Sequence, residues 1–167
     1  MTDRPSPTRV LFVCMGNICR SPLAEGIFRH KSNQRGVSDL FLVDSAGTGD
    51  WHVGEAPDER VQRLADRHGV KLDSAARQVR RRDFKRFDHI YCMDEDNREE
   101  LLDMGAPAGK VRLLLECDPD APFIEVPDPY FGGDDGFELV WRLVDSACGA
   151  VLDQLLAERA ARGASGK

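Results

Sequence analysis

No stretch of this chain stays apolar for the ~20 residues that a bilayer-spanning helix needs, and Met1 to Arg9 lacks the apolar core of a secretory signal. Neither a membrane helix nor export is expected, and the protein is expected to stay in the cytoplasm, away from membranes. Cysteine is scattered: the five thiols at 14, 19, 92, 117 and 148 are odd in number and include no C-x-x-C pair. That argues against a secreted disulfide framework and against a zinc pair, and leaves the chemistry of individual thiols. Positive charge is also short. Lys and Arg number 23 against 29 Asp and Glu, a formal net charge of −6, which disfavours nucleic acid and anionic membranes at long range but not a small anion held by local dipoles. Internal repeats and a second domain are absent too.

What is present fits one domain, because 167 residues, 41% of them hydrophobic, can bury a real core. We expect a loose leader over 1–8, a single domain over 9–159 and a frayed tail over 160–167. Val10-Leu11-Phe12-Val13 is a continuous apolar run of the kind shown by a parallel strand covered on both faces. Leu40–Val43, His89–Met93 and Val111–Leu115 read as further strands. Helical spacing follows Leu23, recurs from Val61 to His68 with Gly69 as its stop, runs from an Asp94 cap to Met104, and closes the chain from Phe137 onward. The alternation predicts a three-layer α/β fold with a parallel sheet and right-handed crossovers. Residues 45–54, without period and rich in glycine, read as a long loop leaving the second strand. Another irregular stretch, 116–136, is longer than a compact domain tolerates without a functional reason. His68 reads as a packed or capping residue, Cys92, Cys117 and Cys148 as small buried residues. The basic run Arg77–Arg86 reads as solvated surface, with a docking patch for an acidic segment as the sharper alternative.

The chemistry concentrates in Cys14-Met15-Gly16-Asn17-Ile18-Cys19-Arg20-Ser21, between the first strand and a helix start that Ser21 as N-cap, Pro22 and an early Glu25 would make. A loop entering a helix N-terminus aims several backbone N–H groups at one point, which suits a tetrahedral oxyanion. Arg20 closes the loop with a planar fork that fits two phosphoryl oxygens. Cys14 opens it, where donors and a dipole favour the thiolate. Ser21 can donate a hydroxyl to that sulfur, and Gly16 allows backbone conformations that would crowd a side chain.

With Asp44-Ser45-Ala46-Gly47-Thr48, Trp51, Ala76-Arg77-Gln78, Cys92-Met93-Asp94 and Asp128-Pro129-Tyr130 added, the chain resembles the low-molecular-weight protein tyrosine phosphatases over nearly its full length. The resemblance implies a four-stranded parallel twisted sheet with helices on both faces, a phosphate-binding loop after the first strand, no metal and no cofactor. It implies phosphotyrosine-containing proteins as substrates, small aryl phosphates as surrogates, and inorganic phosphate or other tetrahedral oxyanions as inhibitors. It makes Cys14 the nucleophile of a cysteinyl-phosphate intermediate, Arg20 the phosphate clamp and Asp128 the general acid and base. Met15, Gly16, Asn17, Ile18 and Cys19 would line the phosphate loop, with Ser21, Ser45 and Ser74 supporting it. Ser74 is a departure, since many relatives carry histidine there, so the support of Asn17 is expected to differ. Trp51, Tyr130 and Phe131 would wall the substrate cleft; Phe131 stands where some relatives carry a second tyrosine. Cys19 would be a redox partner, able to form a reversible disulfide with Cys14.

Three rivals share parts of the pattern. A thiol-linked arsenate reductase begins with the same loop but passes oxidising equivalents through cysteines that usually lie close together, whereas Cys92 and Cys117 are far apart. A protein-arginine phosphatase typically has threonine where this chain has Ile18 and lacks the extra aromatic after Asp-Pro. A non-enzymatic phosphate-binding module would not need Cys14, Arg20 and Asp128 together.

Overall fold

The computed structural model describes residues 6–129 and 133–165; Tyr130 and Phe131 lie outside the described residues. Four strands, β1 (Thr8–Cys14), β2 (Phe41–Gly47), β3 (His89–Cys92) and β4 (Val111–Leu113), form one all-parallel sheet in the order β2-β1-β3-β4. Among the described residues five α-helices accompany them: α1 (Arg20–Gln34), α2 (Glu59–Arg67), α3 (Asp83–Arg86), α4 (Glu95–Asp103) and α5 (Gly133–Ser165).

The apolar run of β1 is continuous because both faces are covered. Val10, Phe12 and Cys14 join Ile27, Phe28, Val144 and Val151 on the side of α1 and α5. Leu11 and Val13 join Phe84, Phe87, Ile90 and Leu101 on the opposite side, with α3 and α4. The period of two along a strand divides one apolar run between two cores. The chain leaves β1 towards β2 on one flank, and β3 follows on the other. Ligands of open α/β sheets bind at such a switch point, beyond the carboxyl ends of the strands; the Cys14–Arg20 loop begins there.

Several boundaries differ from expectation for identifiable reasons. Phe12 pairs with Ser45, Val13 with Ala46 and Cys14 with Gly47, so β2 runs on into residues expected to be loop. The central strand offers it hydrogen bonds over that length. Helix α1 starts at Arg20, two residues earlier than a Ser21 cap allows; Cys19 is the cap position and makes no side-chain cap. Ser21 is turned to the loop instead, Pro22 still falls among the N–H groups that have no intrahelical partner, and Glu25 sits in the second turn. Strand β4 is short because Leu114–Cys117 closes into a 3₁₀ turn. Helix α5 continues through Ser165, well into the stretch expected to fray. Arg159 ties it down, donating from Nη1 to the Ser6 carbonyl and to Thr8 Oγ1, both at 3.0 Å. Among the described residues no helix is long and apolar enough to cross a membrane.

Candidate active site

The Cys14–Arg20 loop is held by its carbonyls. The Cys14 carbonyl accepts from Thr48 N–H at 2.9 Å, Met15 from Gly49 at 3.0 Å, Ile18 from Asp58 at 2.8 Å and Cys19 from Leu23 at 3.2 Å. With the Cys14, Met15 and Ile18 carbonyls taken by segments outside the loop, N–H groups are left for the interior. Asn17 N–H points at Cys14 Sγ, 3.3 Å away, and among the described residues Gly16 and Ile18 N–H meet no protein carbonyl. Cys14 Sγ also lies 2.9 Å from Ser21 Oγ. That hydroxyl already accepts from Asn17 Nδ2 at 2.8 Å and reaches the Ala46 carbonyl only at 3.5 Å. Its own hydrogen is therefore best placed to donate to the sulfur.

Asn17 bends the loop with a left-handed φ of 57°, a conformation that asparagine tolerates better than most residues. Its side chain fixes that bend. Nδ2 donates to Ser21 and, at 3.0 Å, to Ser45 Oγ; Oδ1 accepts Arg77 N–H at 3.0 Å. Ser45 in turn donates to Glu25 Oε1 at 2.5 Å. Burial raises the Glu25 carboxyl above its ordinary value, against the pull of Ser45 and Arg29. Ser74 takes no part in this network: it lies on a surface cavity of about 310 Å³ with Glu25, Arg29 and Asp73. The backbone of Arg77 supplies the contact instead. That backbone is docked on β2, with Gly47 N–H donating to the Arg77 carbonyl and Val79 N–H to the Gly47 carbonyl, both at 2.8 Å. Only glycine fits at 47, since a Cβ there would lie 2.7 Å from the Met15 carbonyl oxygen.

Arg20 is buried. Nη1 donates to Asp94 Oδ2 at 2.8 Å and to the Val126 carbonyl at 3.0 Å, while Nε and Nη2 take no protein acceptor among the described residues. Burial works against its charge, but Cys14, Asp94 and Asp128 outweigh that and hold it protonated even more firmly than usual. Val126 N–H donates to the Met93 carbonyl at 2.8 Å, which fastens the segment before Asp128 to the end of β3. Asp128, two residues on, is thereby brought to the loop from the far end of the chain. Cys14, Met15, Gly16, Ile18, Cys19, Arg20, His52 and Asp128 line one cavity of about 80 Å³. A wider cleft of about 500 Å³ shares Met15, Arg20 and Asp128 and is walled by carboxylates of α4. Among the described residues no two of the five cysteines are joined in a disulfide.

Other sequence candidates resolve unevenly. Trp51 is 69% exposed, so it is no core residue; its ring lies against Gly49, where a Cβ would come within 1.7 Å of it. Burial pushes the Cys92 thiol up to about 12 and Cys117 to about 11, and raises Cys148 as well, as expected of inert core residues. Arg77 leaves the solvated run to pair with Asp44 and buried Asp83, whereas Arg80, Arg81, Arg82, Lys85 and Arg86 are exposed. His68 caps α2 and stacks on Trp141 at 4.0 Å.

Sequence reasoning missed Asp94, His52 and Glu25 as neighbours of the site. In the sequence Asp94 has a local role only as a cap, besides ending the Cys92-Met93-Asp94 motif, and it is one, its Oδ1 accepting Asn97 N–H at 2.9 Å. Its position at the end of β3, beside β1, was the available signal.

Residues 9–161 match the family described as low molecular weight phosphotyrosine protein phosphatase. The chain is 41% identical over 150 residues to the low molecular weight phosphotyrosine protein phosphatase of Sus scrofa, covering 87% of this chain and 94% of that one. Its structure superposes on the crystal structure of YfkJ from Bacillus subtilis with a TM-score of 0.88 at 40% identity, covering 93% of this chain and 98% of the other. It also superposes on a Drosophila arginine phosphatase, with a TM-score of 0.81 at 37% identity over 87% of this chain and 96% of that one.

Proposed function

Because the chain belongs to the low molecular weight phosphotyrosine protein phosphatase family, whose members are phosphoric monoester hydrolases, we propose that it removes phosphate from phosphotyrosine in proteins by way of a cysteinyl-phosphate. The observation that carries this reading is the sharing of one small cavity by Cys14, Arg20 and Asp128. Cys14 Sγ attacks phosphorus in line as the bond to the tyrosine oxygen breaks. Asp128 gives its proton to the departing phenolate. The loop N–H groups and the unengaged edge of Arg20 hold the three equatorial oxygens, so the rate comes from positioning and electrostatic stabilisation. Ser21 stabilises the sulfur as thiolate before attack and as leaving group afterwards. In the second step water attacks phosphorus, Asp128 takes its proton, the S–P bond breaks, and inorganic phosphate leaves a regenerated thiolate. Trp51, Tyr130 and Phe131 would flank the ring of the substrate, and Cys19 would guard Cys14 as a disulfide partner. Such chemistry needs reduced thiols, which suits the cytoplasm, and the acidic wall beside the cavity disfavours nucleic acid and anionic membranes as partners.

The test is turnover of aryl phosphate and of phosphotyrosyl, phosphoarginyl and phosphoseryl peptides. Cys14→Ser is expected to be inactive and Asp128→Ala slowed by a factor on the order of 10². Near-normal turnover by Cys14→Ser would end the proposal. The likeness to a Drosophila arginine phosphatase keeps phosphoarginine as the second reading; Ile18 argues against it, and faster release of phosphate from phosphoarginyl than from phosphotyrosyl peptides would establish it. Arsenate turnover coupled to thiols would favour the reductase reading.

A further inference from the structure

One ionisable group on the catalytic cavity has no part in the mechanism above. His52 lines that cavity together with Cys14, Arg20 and Asp128. Its Nδ1 lies 2.5 Å from Glu55 Oε2, and because an ionised carboxylate only accepts, Nδ1 carries the proton of that bond. The opposite edge of the ring rests on the oxyanion loop: a Cβ built on Gly16 would come within 3.1 Å of His52 Cδ2 and 3.8 Å of Nε2. So Glu55 holds the ring by Nδ1, and the Cδ2–Nε2 edge faces Gly16 of the loop, with Cδ2 the nearer atom.

The turn that carries the pair is itself anchored. Glu55 N–H donates to the His52 carbonyl, Gly54 N–H to the Ala76 carbonyl and Ala76 N–H to the Glu55 carbonyl, all at 2.8 Å. This is the backbone that, one residue later, holds Asn17 through Arg77. The imidazole is thus fixed relative to the loop by the same segment that shapes it. A carboxylate–imidazole pair in this setting has two states: neutral, with a lone pair on Nε2, or cationic, with a second N–H to donate.

We infer that His52 is a substrate-binding residue whose protonated Nε2 donates to the oxyanion held in the Cys14–Arg20 loop, so that affinity for dianionic ligands falls as this imidazole loses its proton. The inference rests on the reading of that loop as the phosphate site. It adds to the fixed charge of Arg20 a second positive charge that pH can remove, and histidine is the residue type that changes charge between about pH 5 and 8. Among the described residues, the other charged or titratable groups on its turn and cavity are Glu55, bonded to Nδ1, and Cys14, Arg20 and Asp128. All four are kept in the variants below, so a pH limb lost on substitution belongs to His52.

The probe is sulfate, which stays dianionic across the range and avoids the titration of phosphate itself. Its competitive inhibition constant is measured for wild type, His52→Asn and His52→Lys at about pH 5.5 and about pH 8.5. Relative to wild type, His52→Asn should bind sulfate about 3–10-fold more weakly at the lower pH, the usual worth of one charge-assisted contact at a partly exposed site. At the higher pH the two should agree within about twofold. His52→Lys, cationic at both, should bind more tightly than wild type at the higher pH. Equal affinities of wild type and His52→Asn at the lower pH would overturn the inference, as would equal weakening at both pH values, which is the mark of a structural role. A Cys14→Ser protein that still turned over would instead strike at the catalytic reading, leaving the two failures distinguishable.

Discussion

Asn17 is the residue on which the loop geometry turns, and two substitutions separate what it contributes. Replacing it with alanine removes three side-chain hydrogen bonds, to Ser21 at 2.8 Å, to Ser45 at 3.0 Å and from Arg77 N–H at 3.0 Å. At a net ~1 kcal/mol each these sum to about 3 kcal/mol. Alanine must also hold φ near 57°, which adds about 1 kcal/mol relative to residues that visit the left-handed region readily. Glycine loses the same three bonds but escapes the second cost. The expected order of stability is wild type, Asn17→Gly, Asn17→Ala, with steps of about 3 and about 1 kcal/mol, read from urea unfolding. Both variants release the loop, so kcat/KM on an aryl phosphate should fall by about 10² or more, since small misplacements at a reacting centre carry that penalty. Glycine and alanine variants of equal stability would refute the backbone argument. An Asn17→Gly protein with wild-type stability and activity would refute the network argument altogether.

Gly47→Ala would place a methyl 2.7 Å from the Met15 carbonyl oxygen, so the loop backbone must yield; a loss of 10- to 100-fold in kcat/KM is expected, roughly the penalty for sub-ångström displacement, and an unchanged value would count against the close approach. Arg77→Met leaves buried Asp83 without its two guanidinium bonds at 3.0 and 3.1 Å. The arginine is partly exposed, so the expected destabilisation is about 2 kcal/mol rather than the full penalty of a buried pair, and adding Asp83→Asn should recover part of it in a double-mutant cycle. Glu25 has a carboxyl raised by burial in the folded state, so the native protein holds that proton more tightly than the unfolded chain. Its contribution is fully present below the ordinary glutamate range and is lost as pH rises through the higher folded value. Unfolding free energies measured across mildly acidic pH should therefore decline more steeply with pH in wild type than in Glu25→Gln; parallel slopes would refute the assignment.

The readable part of this fold was local. Strand β1 announced itself because a central parallel strand is apolar on both faces, and α4 because Asp94 and Gly105 punctuate it. Where expectation failed, the deciding partner was remote. Ser45–Gly47 looked like loop because glycine and serine favour turns, yet β1 drew them into the sheet. Ser21 looked like a helix cap because of its residue type, yet its hydroxyl is directed to Cys14 and Asn17. Ser74 was expected to support Asn17, whereas the contact comes from a backbone N–H at Arg77, which no side-chain pattern can reveal.

The sequence by itself determined the Cys14–Arg20 loop, since strand, turn and helix N-terminus are contiguous and their hydrogen-bonding geometry follows from local backbone rules. It also determined the two-core division of β1, through a period of two. Only the tertiary structure decided what surrounds that loop. Asp128 arrives because Val126 is bonded to the end of β3 and to Arg20, Asp94 because β3 lies beside β1, and His52 because its turn is fastened to residue 76. These are contacts between segments far apart in sequence, fixed by sheet order and by the satisfaction of buried backbone groups.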